Sequence, residues 1–155
     1  MPLFDRRWLI RLLNLYPPYL GAGVRVRASA DLSTFDVRMK LSRWNRNYVG
    51  THFGGSLYTM CDPFYMLILF DKLGRDYIVW DKAATIRFRR PGMGTVRAHF
   101  HITPEKIEEI RAAADRDGKV EPVFTVEVLN DQGEVVAEVE KLLYVRKKTR
   151  AAGPD

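Results

Sequence analysis

Residues 54–73 constrain the fold most, because this stretch is long, helix-compatible and apolar on nearly every side. Pro63 predicts a kink within it, since a proline cannot donate a hydrogen bond to the carbonyl of Thr59. Gly74 favours the end of the helix. A helix without a polar face is buried on most sides of a globular domain. The apolar residues are Leu57, Met60, Phe64, Met66, Leu67, Ile68, Leu69 and Phe70.

The segments before and after this helix alternate between apolar and polar residues, which predicts strands with one buried face. Such strands are expected at 24–30, 35–41, 83–90, 95–103, 122–129 and 134–146, and a short apolar run precedes the third of them at 77–80. A short helix is expected between Thr103-Pro104 and Gly118. An antiparallel sheet of five to six strands, curled around one long helix, buries that helix most easily. The predicted fold class is therefore α+β.

The N-terminal residues 4–15 also have a helical period, which ends at Pro17-Pro18. Their apolar stripe consists of Phe4, Trp8, Leu12 and Leu15. We expect this helix to cover one side of the core. A helix that lies on a membrane surface or gates an acyl chain is the alternative.

The composition is that of one globular domain, predicted at 1–146, with 155 residues and a net charge of +6. About half of the excess charge falls in the last ten residues, and 147–155 are expected to be a disordered, solubilising tail rather than a nucleic-acid-binding segment. The single cysteine, Cys61, excludes an intrachain disulfide. With no signal-peptide pattern and no apolar run long enough to span a bilayer, we expect a cytoplasmic protein without stable membrane insertion.

Two features of residues 45–62 suggest chemistry. Gly54-Gly55 stands directly before the long helix, and glycine lets a ligand approach the backbone closely. The first amides of a helix have no intrahelical partner and can stabilise a developing oxyanion. Asp62 lies within the apolar stretch, where a carboxylate rarely occurs without a partner or a role. It is a candidate base or nucleophile.

The spacing of these two features suggests an assembly. Gly55 and Asp62 are seven residues apart and would lie about 10 Å apart along a continuous helix. One small carbonyl could not easily contact both within a single subunit. We therefore expect composite sites at the interface of a homodimer, with a dimer of dimers left open.

At this point the run resembles the signature of hotdog-fold thioesterases, in the branch that includes the phenylacetate-pathway enzymes. That signature reads N-x-x-G-x-x-H-G-G, with an acid seven residues after the second glycine. The matching residues are Asn47, Gly50, Gly54, Gly55 and Asp62. The strand 84–91 is similar to the strand that follows the central helix in that family. The N-terminal helix and the motif N-R-N-Y-V-G-T-H-F-G-G look more like an under-characterised branch often labelled tetrameric acyl-CoA thioesterase.

The resemblance implies hydrolysis of a fatty or aromatic acyl-CoA, with coenzyme A as part of the substrate and no other cofactor. Asp62 and Gly55 would be catalytic, with Asn47 and Thr59 as polar helpers. The remaining substrate contacts would come from His52, Phe53, Gly54 and Ser56. The sequence departs from the signature at Phe53, which occupies the position of the family's histidine. His52, one position earlier, would point the opposite way in an extended loop.

A basic strand face offers a further site. Pro91-Gly92-Met93-Gly94 is a turn signal between strands 83–90 and 95–103 and favours a hairpin. If the two strands pair, their arginines and histidines share one face, and arginine suits the phosphates of coenzyme A. Arg89 and Arg90, near the hairpin end, are the candidates. Neutralisation by glutamates of the later strands, or a tetramer contact, is the alternative. His99 and His101 are too weak a pattern to predict a metal site.

Three other functions are compatible with the sequence. A non-catalytic acyl-CoA-binding protein of the same fold is supported by Phe53. A hotdog hydratase or dehydratase is less favoured, because its usual acid–histidine arrangement is not evident. Nucleic-acid binding would have to involve the basic tail.

Overall fold

The computed structural model describes residues 6–148 and confirms the α+β class. The helices are α1 (Arg6–Leu15), α2 (Pro17–Ala22), α3 (Gly54–Thr59), α4 (Phe64–Leu73) and α5 (Pro104–Asp117). The strands are β1 (Val24–Ala28), β2 (Thr34–Lys40), β3 (Tyr77–Phe88), β4 (Thr95–His101), β5 (Lys119–Val120), β6 (Val123–Leu129) and β7 (Val135–Lys147). Of the expected tail, Lys147 ends β7, and residues 149–155 lie outside the described residues, as does Phe4.

The described strands form one antiparallel sheet in the order β1-β2-β4-β6-β7-β3, with the two-residue β5 added to β7. This short strand explains why the sheet has seven strands rather than the five to six expected. The apolar face of the sheet packs on α4, where Phe64, Ile68 and Leu69 are fully buried. Phe64 lies between two strand residues, with ring centroids 5.2 Å from Phe35 and 4.8 Å from Phe100. The core therefore lies between the sheet and this helix.

The long apolar segment is interrupted rather than only kinked at Pro63. Helix α3 ends at Thr59 and α4 begins at Phe64, with a tight turn between them in which the Cys61 amide donates to the Tyr58 carbonyl at 2.8 Å. Pro63 precedes α4 as its N-cap residue, a position where its missing N–H breaks no helical bond. The interruption places Asp62 in a turn instead of a helix interior.

Helix α1 packs with a different side from the one expected. Trp8, Leu12 and Leu15 are 53%, 43% and 64% exposed, so the predicted core-facing stripe faces outward. The helix is held by Leu13, which packs against the core, and by Asn14. The Asn14 side chain accepts a hydrogen bond from the Val26 amide and donates one to the Val26 carbonyl, both at 2.9 Å. These two bonds fix the rotation of α1, and they also cap the β1 edge of the sheet.

The pairing predicted for strands 83–90 and 95–103 is wrong. The first belongs to β3, which pairs with β7, whereas β4 pairs with β2 and β6. The Pro91–Gly94 segment does not close a hairpin, because its backbone bonds elsewhere: the Gly92 carbonyl accepts from the His52 amide and the Gly94 carbonyl from the Leu41 amide. As a result, β3 is an edge strand, and its side chains 82–85, 87 and 88 are exposed.

Candidate functional site

The Gly54-Gly55 pair begins α3 and presents open amides. Phe53 precedes the helix in an extended conformation, and its carbonyl accepts from the amides of Ser56 (2.9 Å) and Leu57 (3.1 Å). The Ser56 amide is therefore already engaged. The amides of Gly54 and Gly55 have no intrahelical partner, as expected for the first residues of a helix. Gly55 is thus the better placed donor for a carbonyl oxygen.

Two cavities flank this helix start. One, of about 470 Å³, is lined among others by Asn47, Phe53, Gly55, Ser56 and Thr59. The other, of about 480 Å³, is lined among others by Asn47, His52, Gly54, Arg89 and Arg90. The structure thus brings nine of the ten predicted site residues to these two cavities. Asp62 lines neither.

Phe53 and Phe88 explain why both glycines are needed. A Cβ atom added at Gly55 would come within 2.5 Å of Phe53 Cε1, and one added at Gly54 within 2.9 Å of Phe88 Cζ. Each aromatic ring therefore lies directly against the glycine backbone. Both rings are more than half exposed, which leaves them free to contact a ligand or a partner.

Asn47 and His52 shape the loop that leads to α3. The Asn47 side chain accepts from the amides of Val49 and Thr51 and donates to Thr51 Oγ1 at 2.9 Å. His52 is buried, and its Nε2 lies 3.0 Å from the Gly94 carbonyl. Burial lowers the pKa of His52, so the ring is neutral, and Nδ1 has no hydrogen-bond partner among the described residues. Through these contacts, both side chains stabilise the loop before α3.

Thr59 and the two arginines also have partners. Thr59 Oγ1 donates to the Gly55 carbonyl at 2.8 Å, within α3. Arg89 Nη2 lies 3.4 Å from Glu138, and Arg90 is paired with Glu134. Neutralisation by later-strand glutamates, the alternative weighed from the sequence, is what the structure shows. Both arginines remain about half exposed at the wall of the second cavity.

Asp62 follows the C-terminal end of α3 and lies in the turn before α4. The expectation of a buried carboxylate is wrong: the side chain is 51% exposed. Its Oδ1 atom accepts from Tyr58 Oη at 2.8 Å and from Lys141 Nζ at 3.0 Å. No described residue donates to Oδ2. Asp62 is therefore anchored through one oxygen and open at the other.

The buried charge at this place is Lys141, whose side chain is fully enclosed. Its Nζ lies 3.3 Å from Asp81 Oδ2 and 3.1 Å from Tyr58 Oη, in addition to the Asp62 contact. Burial acts to lower the pKa of Lys141, but the bonds to Asp62 and Tyr58 and the two carboxylate charges outweigh it and raise the pKa. Lys141 is therefore an ammonium ion at neutral pH. Burial raises the pKa of Asp81, against the effect of Lys141.

Lys141, Tyr58 and Asp81 were not predicted as site residues. The sequence does contain a signal for Lys141, because it occupies an inward position of β7 between Val139 and Leu143, which are both buried. A charged residue in the buried phase of an alternating strand predicts a partner in the core. Its partners could not be found from the sequence, since Asp62 is 79 residues away along the chain.

Other polar features lie apart from these residues. A groove of about 940 Å³ runs over the outer face of β1, β2, β4 and β6, where His99 Nδ1 lies 2.7 Å from Asp36. Residues 6–148 contain no group of three potential metal ligands. None of the helices described here is long and apolar enough to cross a membrane. Burial raises the pKa of Cys61 to about 12, so this thiol is inert.

Known structures share this architecture. A Pseudomonas aeruginosa protein, PA5026, described as a "Probable Thioesterase", has 28% identity and a TM-score of 0.80 over 96% of this chain and 99% of its own. Thioesterase HI1161 of Haemophilus influenzae has 13% identity and a TM-score of 0.66, with 96% of each chain covered. The Escherichia coli PaaI protein of the phenylacetic acid degradation operon has 17% identity and a TM-score of 0.58, with 92% and 93% covered.

The sheet, the central helix and these likenesses define a hotdog-fold protein of the thioesterase-like superfamily. Within it, the chain belongs to the family described as Domain of unknown function (DUF4442), whose model matches residues 6–145. A comparison with curated protein sequences found no match.

Proposed function

We propose that this protein is a homodimeric acyl-CoA thioesterase with its active site at the subunit interface. The observation that carries the proposal is the state of Asp62, whose carboxylate is anchored at Oδ1 and open at Oδ2. A carboxylate held in this way can accept a proton from a water molecule at a defined position. The open amide of Gly55 supplies the complementary group, a donor for the thioester carbonyl oxygen.

The edge strand β3 supports the dimer. Unpaired strand edges in soluble proteins are covered or blunted, because their free N–H and C=O groups pair readily. The β1 edge is capped by Asn14, whereas the described part of β3 has β7 on one side and no strand on the other. Exposed apolar side chains accompany this edge, namely Trp80 and Phe88 on β3 and, close to Phe88, Val49 and Phe53 on the loop before α3. A second copy that adds its own β3 would extend the sheet and cover these side chains.

The same strand links the two halves of the proposed site. Gly54 lies against Phe88 at one end of β3, and Asp62 is joined through Lys141 to Asp81 towards the other end. If two copies of β3 pair antiparallel about a twofold axis near Ala84, the Phe88 end of one strand faces the Asp81 end of the other. This pairing brings the Gly54-Gly55 turn of one subunit towards Asp62 of its partner. It also accounts for the position of Asp62 outside the two cavities beside the start of α3.

The proposed reaction follows from these positions. Asp62 Oδ2 accepts a proton from water as the water oxygen forms a bond to the thioester carbon. The carbonyl oxygen, which becomes negatively charged, accepts a hydrogen bond from Gly55 of the partner subunit. The tetrahedral intermediate then breaks its C–S bond, and Asp62 returns the proton to the departing thiolate of coenzyme A. We assign the phosphates of coenzyme A to Arg89 and Arg90, which remain about half exposed at the wall of the second cavity.

A non-catalytic acyl-CoA-binding protein is the second candidate, favoured by one observation. Phe53 occupies the position of the signature's histidine, and its ring lies against Gly55. The ring adds apolar surface next to the amide that the proposed reaction needs. Binding without hydrolysis would be compatible with this arrangement.

Turnover of an acyl-CoA panel, followed by release of the free thiol, separates the two candidates. The wild-type protein should hydrolyse at least one fatty or aromatic member, and Asp62→Asn should lose that activity while it keeps the fold, because asparagine still accepts hydrogen bonds at the anchored oxygen. Asp117→Asn, an exposed aspartate paired with Arg116 on α5, is the matched control and should leave activity unchanged. Saturable binding without thiol release would favour the binding protein.

A further inference from the structure

Lys141 is the least expected residue of the core. Its side chain is fully buried on the inward face of β7, and a buried ammonium group has a large desolvation penalty. Replacement of a buried ion pair by apolar residues of similar volume is often neutral or stabilising. Stability alone therefore gives no reason for a lysine at a position whose strand neighbours Val139 and Leu143 are apolar.

The geometry around Lys141 points to Asp62. Lys141 Nζ and Tyr58 Oη both donate to the same oxygen of Asp62, Oδ1, and they also lie 3.1 Å from each other. Two donors on one oxygen fix both the position and the rotation of the carboxylate. We propose that Lys141, assisted by Tyr58, is a positioning residue that holds Asp62 so that Oδ2 is the reacting oxygen. This inference rests on the proposed thioesterase function.

The surroundings of Asp62 favour this role over a purely structural one. Asp62 is half exposed and would be solvated without a protein partner, and Asp81 alone could neutralise Lys141. Asp81 is itself imperfectly satisfied, because its buried Oδ1 has no hydrogen-bond partner among the described residues. The hydroxyl of Tyr19, also near Asp62, is buried and likewise without one. A cluster optimised for stability alone would satisfy these groups.

The test compares Lys141→Met and Lys141→Arg with the wild-type enzyme on an acyl-CoA that the wild type hydrolyses. Leu143→Met is the control for a conservative change on the same face of β7. Lys141→Met should lower kcat by about tenfold to a hundredfold through the loss of orientation and change KM less than about twofold. Lys141→Arg, which can still donate a hydrogen bond to Oδ1 of Asp62, should keep more of the wild-type kcat than Lys141→Met.

The outcomes separate this inference from the proposed function. A wild-type protein that hydrolyses no acyl-CoA contradicts the proposed function, and the role of Lys141 falls with it. An active wild type together with a folded Lys141→Met variant of unchanged kcat overturns the role of Lys141 alone. If Lys141→Met does not fold, Tyr58→Phe decides, since it removes the other donor to Oδ1: a several-fold lower kcat at unchanged KM supports the inference, and an unchanged kcat overturns it.

Discussion

The Nζ atom of Lys141 lies 3.0 Å from Oδ1 of Asp62, so a fully buried ammonium group from the last long strand anchors a half-exposed carboxylate in the turn between two helices. This contact joins the hydrophobic core to the carboxylate that the sequence marks as a candidate base. It also connects that carboxylate to the edge strand β3 through Asp81. In the proposed function, this one lysine links the core to both the catalytic carboxylate and the strand of the subunit interface.

Cross-linking of β3 tests the proposed assembly. Ala84→Cys lies on the exposed edge at the proposed twofold axis, where residue 84 would face its own copy with Cα atoms about 4.5 to 5.5 Å apart, close enough for a disulfide. Under mild oxidation this variant should form a covalent dimer on non-reducing gels. Gln132→Cys, on the exposed β6–β7 turn, should not, and buried Cys61 should leave the wild type uncross-linked. A monomer in solution at all concentrations would contradict the proposed interface.

Gly55 and Phe53 should be coupled in stability. Gly55→Ala forces the Phe53 ring away, because the new Cβ would come within 2.5 Å of Cε1. In the Phe53→Ala background that clash is gone, and alanine is favoured over glycine in a helix by up to about 1 kcal/mol. Thermal unfolding of the two single variants and the double variant measures the coupling. Additive effects would show that the ring does not lie against this backbone in solution.

The burial of His52 predicts that the folded protein loses stability in mild acid. Burial lowers its pKa in the folded state, so the unfolded chain binds the proton more readily. The contribution of neutral His52 is therefore complete above the ordinary histidine pKa of about 6.5 and is lost as the pH falls through the lower folded-state value. The melting temperature should fall less steeply between pH 7.5 and 5 in His52→Gln than in the wild type. Parallel profiles would contradict the prediction.

Asn14 should stabilise the sheet more than its place on the surface suggests. Asn14→Ala removes two hydrogen bonds to the Val26 backbone and should lower the free energy of unfolding by about 1 to 2 kcal/mol. Chemical denaturation measures the change, with Gln132→Ala as an exposed control. The variant should also self-associate more readily, because the β1 edge loses its cap. A variant as stable as the wild type would show that α1 does not hold this edge.

Local patterns in the sequence were enough to predict most of the elements. The sequence correctly predicted five alternating strands and the caps of α5, because both features depend on residues close together in the chain. The strands are β1, β2, β4, β6 and β7. The glycine pair was placed correctly at a helix start for the same reason. Nine predicted site residues converge on two cavities because they come from only two segments, 47–59 and 89–90.

What the sequence did not predict depends on long-range contacts. The spacing of apolar residues in α1 defines an apolar stripe but not the side of the helix that packs against the core. The hydrogen bonds of Asn14 to Val26 determine that side. The turn residues at 91–94 suggested a hairpin, yet tertiary bonds of this segment to His52 and Leu41 direct β3 to β7. Asp62 was expected to be buried because it was assigned to an unbroken helix. The break before Pro63 exposes it, and its partner Lys141 comes from a distant strand.

Thiol release by the wild-type protein and by Asp62→Asn, measured side by side on one acyl-CoA panel, tests the central claim most directly. We predict that the wild type hydrolyses at least one fatty or aromatic acyl-CoA, and that Asp62→Asn, folded and dimeric, is slower by about a hundredfold to ten-thousandfold, the range for loss of a general base. Asp117→Asn should match the wild type. Equal rates for Asp62→Asn and the wild type, or no thiol release from any substrate by the wild type, would contradict the account.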